Sequence, residues 1–280
     1  MLTTGVRQLD RLLRGDATHP SALRYGSVVI PVRQLLSVIL LLGLLYGLCM
    51  ASFAIVNGSD AVMERLVSTM LKVPSLFLLT LAITFPSLYI FNALVGSRLS
   101  ADGVLQLLVS ALGVMMAVLA SMGPIVAFFS VSTTSYNFML LLNVAVFATA
   151  GLLGLRFLFL TLQRLSLVRN GAAFEDDDKV VQEEFERLAE IDTYKAIDIL
   201  PEMAIEKRRG ALERRETEPT SPRVRMIFRI WVVVFGLVGA QLSWVMRPFI
   251  GGGSGDAFVW FSPRESSFFE AVWKAMTHLF

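Results

Sequence analysis

LLSVILLLGLLYGLCMASFAIV, running from Leu35 to Val56, decides the fold. It contains no charged residue, and its length meets the roughly 20 apolar residues that a helix needs to cross a bilayer. Inside lipid, every backbone N–H and C=O must be satisfied within the segment or around a closed barrel. Barrel strands alternate apolar and polar over about ten residues. This run is continuously apolar, so it is read as a helix.

Four further runs repeat the pattern: Val73–Val95, Val104–Val131, Phe138–Leu155 with an apolar continuation to Leu162, and Ile230–Met246 between Arg229 and Arg247. None holds an acidic residue. The composition agrees. The chain is 55% hydrophobic and 17% charged, with a mean hydropathy of +0.63, against roughly 45–50% apolar and about 25% charged in soluble domains. The expectation is an all-α polytopic membrane protein with five transmembrane helices, a cytoplasmic helical insertion and an external amphipathic C-terminal helix.

The first run is read as a signal anchor. Its apolar core exceeds the roughly 7–15 residues of a cleavable signal, although ASFA at Ala51–Ala54 resembles a cleavage site. Cys49 is the single cysteine, which excludes an intrachain disulfide framework and a multi-cysteine metal site. In an apolar helix it reads as inert packing.

Arginines set the expected orientation, because cytoplasmic flanks of spans are rich in Lys and Arg. Arg7, Arg11, Arg14, Arg24 and Arg33 precede the first span. Arg98 lies between the second and third. Arg164, Arg169, Arg223 and Arg225 flank the segment between the fourth and fifth. The alternate segments are poorer or balanced; Arg65 and Lys72 are read as loop residues offset by Asp60 and Glu64. The N-terminus is therefore expected inside and the C-terminus outside. The units follow: a basic segment over 1–33, a four-helix bundle over 34–162, a charged insertion over 163–225, a fifth span over 226–248, and a Gly-rich hinge with an amphipathic helix over 249–280.

Outside the spans, VRQLDRLL places Val6, Leu9, Leu12 and Leu13 on one helical face beside Arg7, Arg11 and Arg14. Such a helix can lie in a headgroup layer and attract anionic lipid, or it can carry the ordinary basic charge of a cytoplasmic flank. In the insertion, Val181, Phe185 and Leu188 mark a stripe on a charged helix. Asp176, Asp177 and Asp178 point in different directions on a helix, so they do not converge on a metal. Lys207, Arg208, Arg209, Arg214 and Arg215 are diluted by glutamates and lack aromatic platforms, which argues against nucleic acid. Near the C-terminus, Phe269, Trp273, Met276 and Phe280 share a face, broadened by Phe268 and Val272, with Ser266 or Ser267 as the cap.

The chemistry expected of an enzyme is missing from the pattern. The five runs hold no Asp, Glu, Lys or His, where ion-coupled transport would place one. His19 and His278 are the only histidines and sit near opposite ends. No HExxH, P-loop or dinucleotide motif occurs, so no cofactor or metal is expected. Arg156 near the end of the fourth run either snorkels to headgroups or faces a neighbouring helix, an anionic lipid or a pore. Arg247 and Trp244 belong to the last span's interfacial end, and Pro248 disfavours continuation of that helix.

Small residues four apart let helix backbones approach closely: Gly43 and Gly47, Gly113 and Ala117, Ala150 and Gly154, Gly236 and Ala240. Pro86 and the Gly123-Pro124 pair permit bends. The functional expectation is a non-enzymatic accessory or scaffold subunit of a membrane complex, in a bacterial inner membrane, contacting lipid and other subunits or copies of itself. The alternative is an oligomeric channel or facilitative transporter. Arg156, Arg247, Trp244, Phe269, Trp273 and Met276 are the candidate partner or lipid contacts.

Overall fold

A computed structural model describes residues 2–16, 31–56, 62–94, 101–169, 222–247, 249, 260–261 and 267–277. Most of the insertion, the Arg98 loop and the glycine-rich run Gly251–Gly253 lie outside these residues. The described residues form seven helices and no strand: α1 Leu2–Arg14, α2 Val32–Val56, α3 Val62–Leu94, α4 Ala101–Ser132, α5 Tyr136–Arg169, α6 Pro222–Val245 and α7 Phe268–Thr277. Four of them, α2 to α5, are long and apolar enough to cross a membrane.

The bundle is built around α4. Leu107, Leu112, Met116, Leu119 and Val126 are buried along its length, as expected of a helix that is apolar all round. It packs on α2 and α5, while α3 lies against α2 and α6. Because lipid removes the hydrophobic incentive for helices to associate, close packing must hold them together. The glycines give the reason it is possible. A Cβ on Gly43 would meet Pro74 at 2.9 Å, and one on Gly47 would meet the Met70 Cα at 2.7 Å. A Cβ on Gly154 would collide with the Met115 side chain, which fixes the α4–α5 approach.

The helices continue past prolines, with Pro74 and Pro86 inside α3 and Pro124 inside α4. The apolar part of α6, Ile230–Val245, is shorter than the roughly 20 residues of a typical span. It runs antiparallel along α3. Trp231 is fully buried, with Nε1 directed at the Thr84 carbonyl 3.4 Å away. At the other end, Thr69 pairs with Phe249.

The N-terminal helix α1 belongs to the bundle. Leu9 and Leu12 are buried, and a Cβ on Gly5 would clash with the Gln34 carbonyl and the Val38 side chain. The helix ends at Gly15, whose φ of 87° lies in the left-handed region that glycine adopts without penalty. Its N–H closes the turn on the Leu12 carbonyl at 3.1 Å, as a helix cap does. On the exposed side, Asp10 accepts a 2.9 Å hydrogen bond from Arg14 Nε. That bond and the carboxylate charge raise the Arg14 pKa above its ordinary value.

One expectation needs correction. The second span was expected to begin at Val73, with Arg65 and Lys72 in a loop. Instead α3 begins at Val62, and both cations are inside the helix and buried. An apolar run stops at the first cation. The helix does not stop there, because its polar residues share one face and that face is covered.

Candidate functional site

Arg65, Ser68, Thr69 and Lys72 follow the i, i+3, i+4, i+7 spacing that places side chains on one helix face. All four are buried, Lys72 to 3% exposure. They form a polar stripe over the first turns of α3, and Phe249, Trp260 and Phe261 lie against it at Thr69 and Lys72. Thr69 Oγ1 donates to the Phe249 carbonyl at 2.8 Å. Lys72 Nζ donates to the Trp260 carbonyl at 2.6 Å and sits 5.4 Å from the centre of the Phe261 ring, within the range of a cation–π contact. Backbone carbonyls are suitable partners here. They solvate an ammonium group in a setting where burying a charge is otherwise costly.

Arg247 stacks on its neighbour Trp244, with Cζ 3.8 Å from the ring centre. This arrangement turns the arginine back along α6, and residues 247 and 249 carry the chain onto α3. The interfacial pair read from the sequence is therefore a local stack at the point where the C-terminal segment leaves the last long helix.

Ser267 immediately precedes α7. The Ser267 hydroxyl accepts from the Glu270 N–H at 3.3 Å, and its carbonyl accepts from the Ala271 N–H at 3.1 Å. Ser267 thus occupies the capping position. Lys274 and Glu270 pair at 3.2 Å on the exposed side. The helix rests on α5 and α6 through a face where Ala275 is buried and Phe268, Ala271 and Val272 are half-buried. Phe269, Trp273 and Met276 are left open, at 53%, 65% and 42% exposure.

The other residues singled out from the sequence fall in several places. Arg156 is exposed on α5. Ala150 is fully buried, and Ala117 is half-buried against the core. Gly113 receives α1: a Cβ there would sit 3.5 Å from both Leu9 and Leu35. Ala240 is half-buried on α6. Gly236 meets nothing within 4 Å among the described residues. The approach of α6 to α3 is made one turn away, where a Cβ on Gly239 would stand 3.7 Å from Thr80.

Inside the bundle, a polar pair joins α2 to α5. The Tyr46 hydroxyl donates to the Asn143 side-chain oxygen at 2.9 Å, across 97 residues. Asn143 Nδ2 donates to the Met139 carbonyl at 2.8 Å. Phe147 packs on Tyr46 and on Phe77, with ring centres 5.6 and 5.7 Å apart. This pair draws α2, α3 and α5 together at one level.

The sequence grouped Phe268 and Val272 with Phe269, Trp273 and Met276, whereas the first two are half-buried and the other three exposed; Phe280 lies outside the described residues, and the α3 stripe was missed. The signal was available in the spacing of Arg65, Ser68, Thr69 and Lys72, which is helical. Comparison with known proteins gives no matching family model, no similar curated protein and no similar solved structure.

Proposed function

We propose that the chain is a non-enzymatic integral membrane subunit that serves as an accessory or scaffold in a larger membrane complex. In this reading Ile230–Met246 is a fifth span, the N-terminus is cytoplasmic, the C-terminal helix is external and the membrane is a bacterial inner membrane. The observation that carries it is the seating of α7. One face of the helix is held against α5 and α6, and Phe269, Trp273 and Met276 point away from the bundle. Ahead of the helix, Phe249 and Trp260 are bonded to Thr69 and Lys72 of α3. An anchored helix presenting open aromatic residues suits a docking element, since aromatic anchors dominate binding energy at interfaces.

The test is extraction in a mild detergent followed by native size and composition analysis. A docking subunit comes out with unrelated subunits in fixed stoichiometry, and the F269S/W273S variant comes out alone. A symmetric homo-oligomer that conducts ions in a planar bilayer would overturn the scaffold reading in favour of a channel. A reporter fused after Phe280 tests the five-span arrangement: activity in the cytoplasm would refute it.

A further inference from the structure

The apolar arc of α1 is divided in two. Gly5, Leu9 and Leu12 are buried against α2 and α4. Leu2, Val6 and Leu13 fall beside them on the helical wheel and are exposed, at 49%, 52% and 45%. Continuing around the helix from this open half come Asp10 and Arg14, which pair with each other, and then Arg7 and Arg11. Arg7, Arg11 and Arg33 are all exposed.

The position of α1 fixes what can lie against this open half. Gly5 sits at Gln34 and Val38, the beginning of a helix long enough to cross the membrane, and Leu9 reaches Gly113 within another. The helix therefore packs on the flank of the spanning bundle, level with the first turns of α2. Further along α2, Leu40 and Leu41 are exposed as well. Leu2, Val6 and Leu13 open outward on this flank; the Asp10–Arg14 pair borders them, and Arg7 and Arg11 stand further round the helix.

We infer that α1 is a lipid-binding element: Leu2, Val6 and Leu13 dip into the adjacent leaflet while Arg7 and Arg11, with Arg33 of α2, hold phosphates of anionic lipids. An amphipathic helix with a basic polar face binds membranes through this combination of buried apolar area and charge. Docking on the bundle places the arginines at a fixed depth, so the lipid site is built into the fold. The inference is independent of the role assigned to α7.

The test uses the full chain in lipid nanodiscs, with Cys49→Ala removing the native thiol. An environment-sensitive dye is attached at Val6→Cys, or at Thr4→Cys as the control, since two residues along a helix lie on nearly opposite faces. The dye at position 6 should be quenched by brominated lipid and protected from aqueous iodide; the dye at position 4 should show the reverse. Brominated phosphatidylglycerol should quench more strongly than brominated phosphatidylcholine at equal mole fraction, with local enrichment of up to roughly fivefold per arginine. The R7Q/R11Q/R33Q variant, which alters only exposed side chains, should remove that difference. Iodide quenching at position 6 would overturn the inference. So would protection from both quenchers, which would mean protein covers the face, or equal quenching by the two lipids in the unaltered helix.

Discussion

Lys72 and Trp260 are 188 residues apart in sequence and joined by a 2.6 Å hydrogen bond from the ammonium group to a backbone carbonyl. The bond fastens the segment that leads to α7 onto the start of α3. Lys72→Met keeps most of the stem's packing and removes the donor. Losing a charged hydrogen bond of this kind costs about 1.5–3 kcal/mol. The expected outcome is faster chymotryptic cleavage after Trp260 and Phe261 with the remaining bundle intact. Unchanged cleavage would show that the bond does not hold the segment.

The Tyr46–Asn143 pair gives a second prediction. Tyr46→Phe leaves the Asn143 oxygen without its donor, and hydrogen bonds between membrane helices average about 0.6 kcal/mol with a maximum near 1.7. Thermal unfolding in detergent should register a loss in that range. Adding Asn143→Leu to Tyr46→Phe should cost less than the sum of the two single changes, because the stranded acceptor is gone. Strict additivity in a double-mutant cycle would refute the coupling.

Glycine positions should separate cleanly. At Gly47 a Cβ would press on the Met70 backbone at 2.7 Å, which cannot yield as a side chain can. Gly47→Ala should therefore destabilise the bundle by about 1–3 kcal/mol, the range for overpacking. Gly236 has open space around it among the described residues, and Gly236→Ala should be neutral or mildly stabilising through helix propensity. Equal effects in a thermal-shift assay would contradict the α2–α3 contact.

The open face of α7 predicts a loss of association without a loss of folding. Phe269 and Trp273 are both more than half exposed, so their replacement by serine should leave the melting temperature of the isolated chain nearly unchanged. Aromatic hot spots at interfaces are worth about 2 kcal/mol or more, so recovery of co-purifying subunits should fall by at least about tenfold. A variant that assembles normally would remove α7 from the interface.

How much of this was legible beforehand depended on whether a feature was local. Leu35–Val56 needs only its own composition to be read as a helix long enough to cross a membrane, and the structure places it in one. Lys72 could not be placed in the same way. Whether a cation ends a helix or stays within it depends on what covers it, and here the cover is Trp260, far along the chain. The small-residue ladders show the same limit. Spacing singled out Gly236, but spacing does not reveal which side of α6 the neighbour occupies, and Gly239 faces Thr80 instead. For α1 the apolar arc was readable from Val6 to Leu13, while its division between bundle and open surface depended on where α2 and α4 lie.

The crossing of the C-terminal segment over α3 also sets an order of manufacture. The first turns of α3 leave the ribosome well before Phe249 and Trp260 exist. Until those carbonyls arrive, the Thr69–Phe249 and Lys72–Trp260 bonds cannot form. The second of the four long helices therefore gains these two bonds only after most of the chain has been made, and a chain cut short before Trp260 would lack the Lys72 bond.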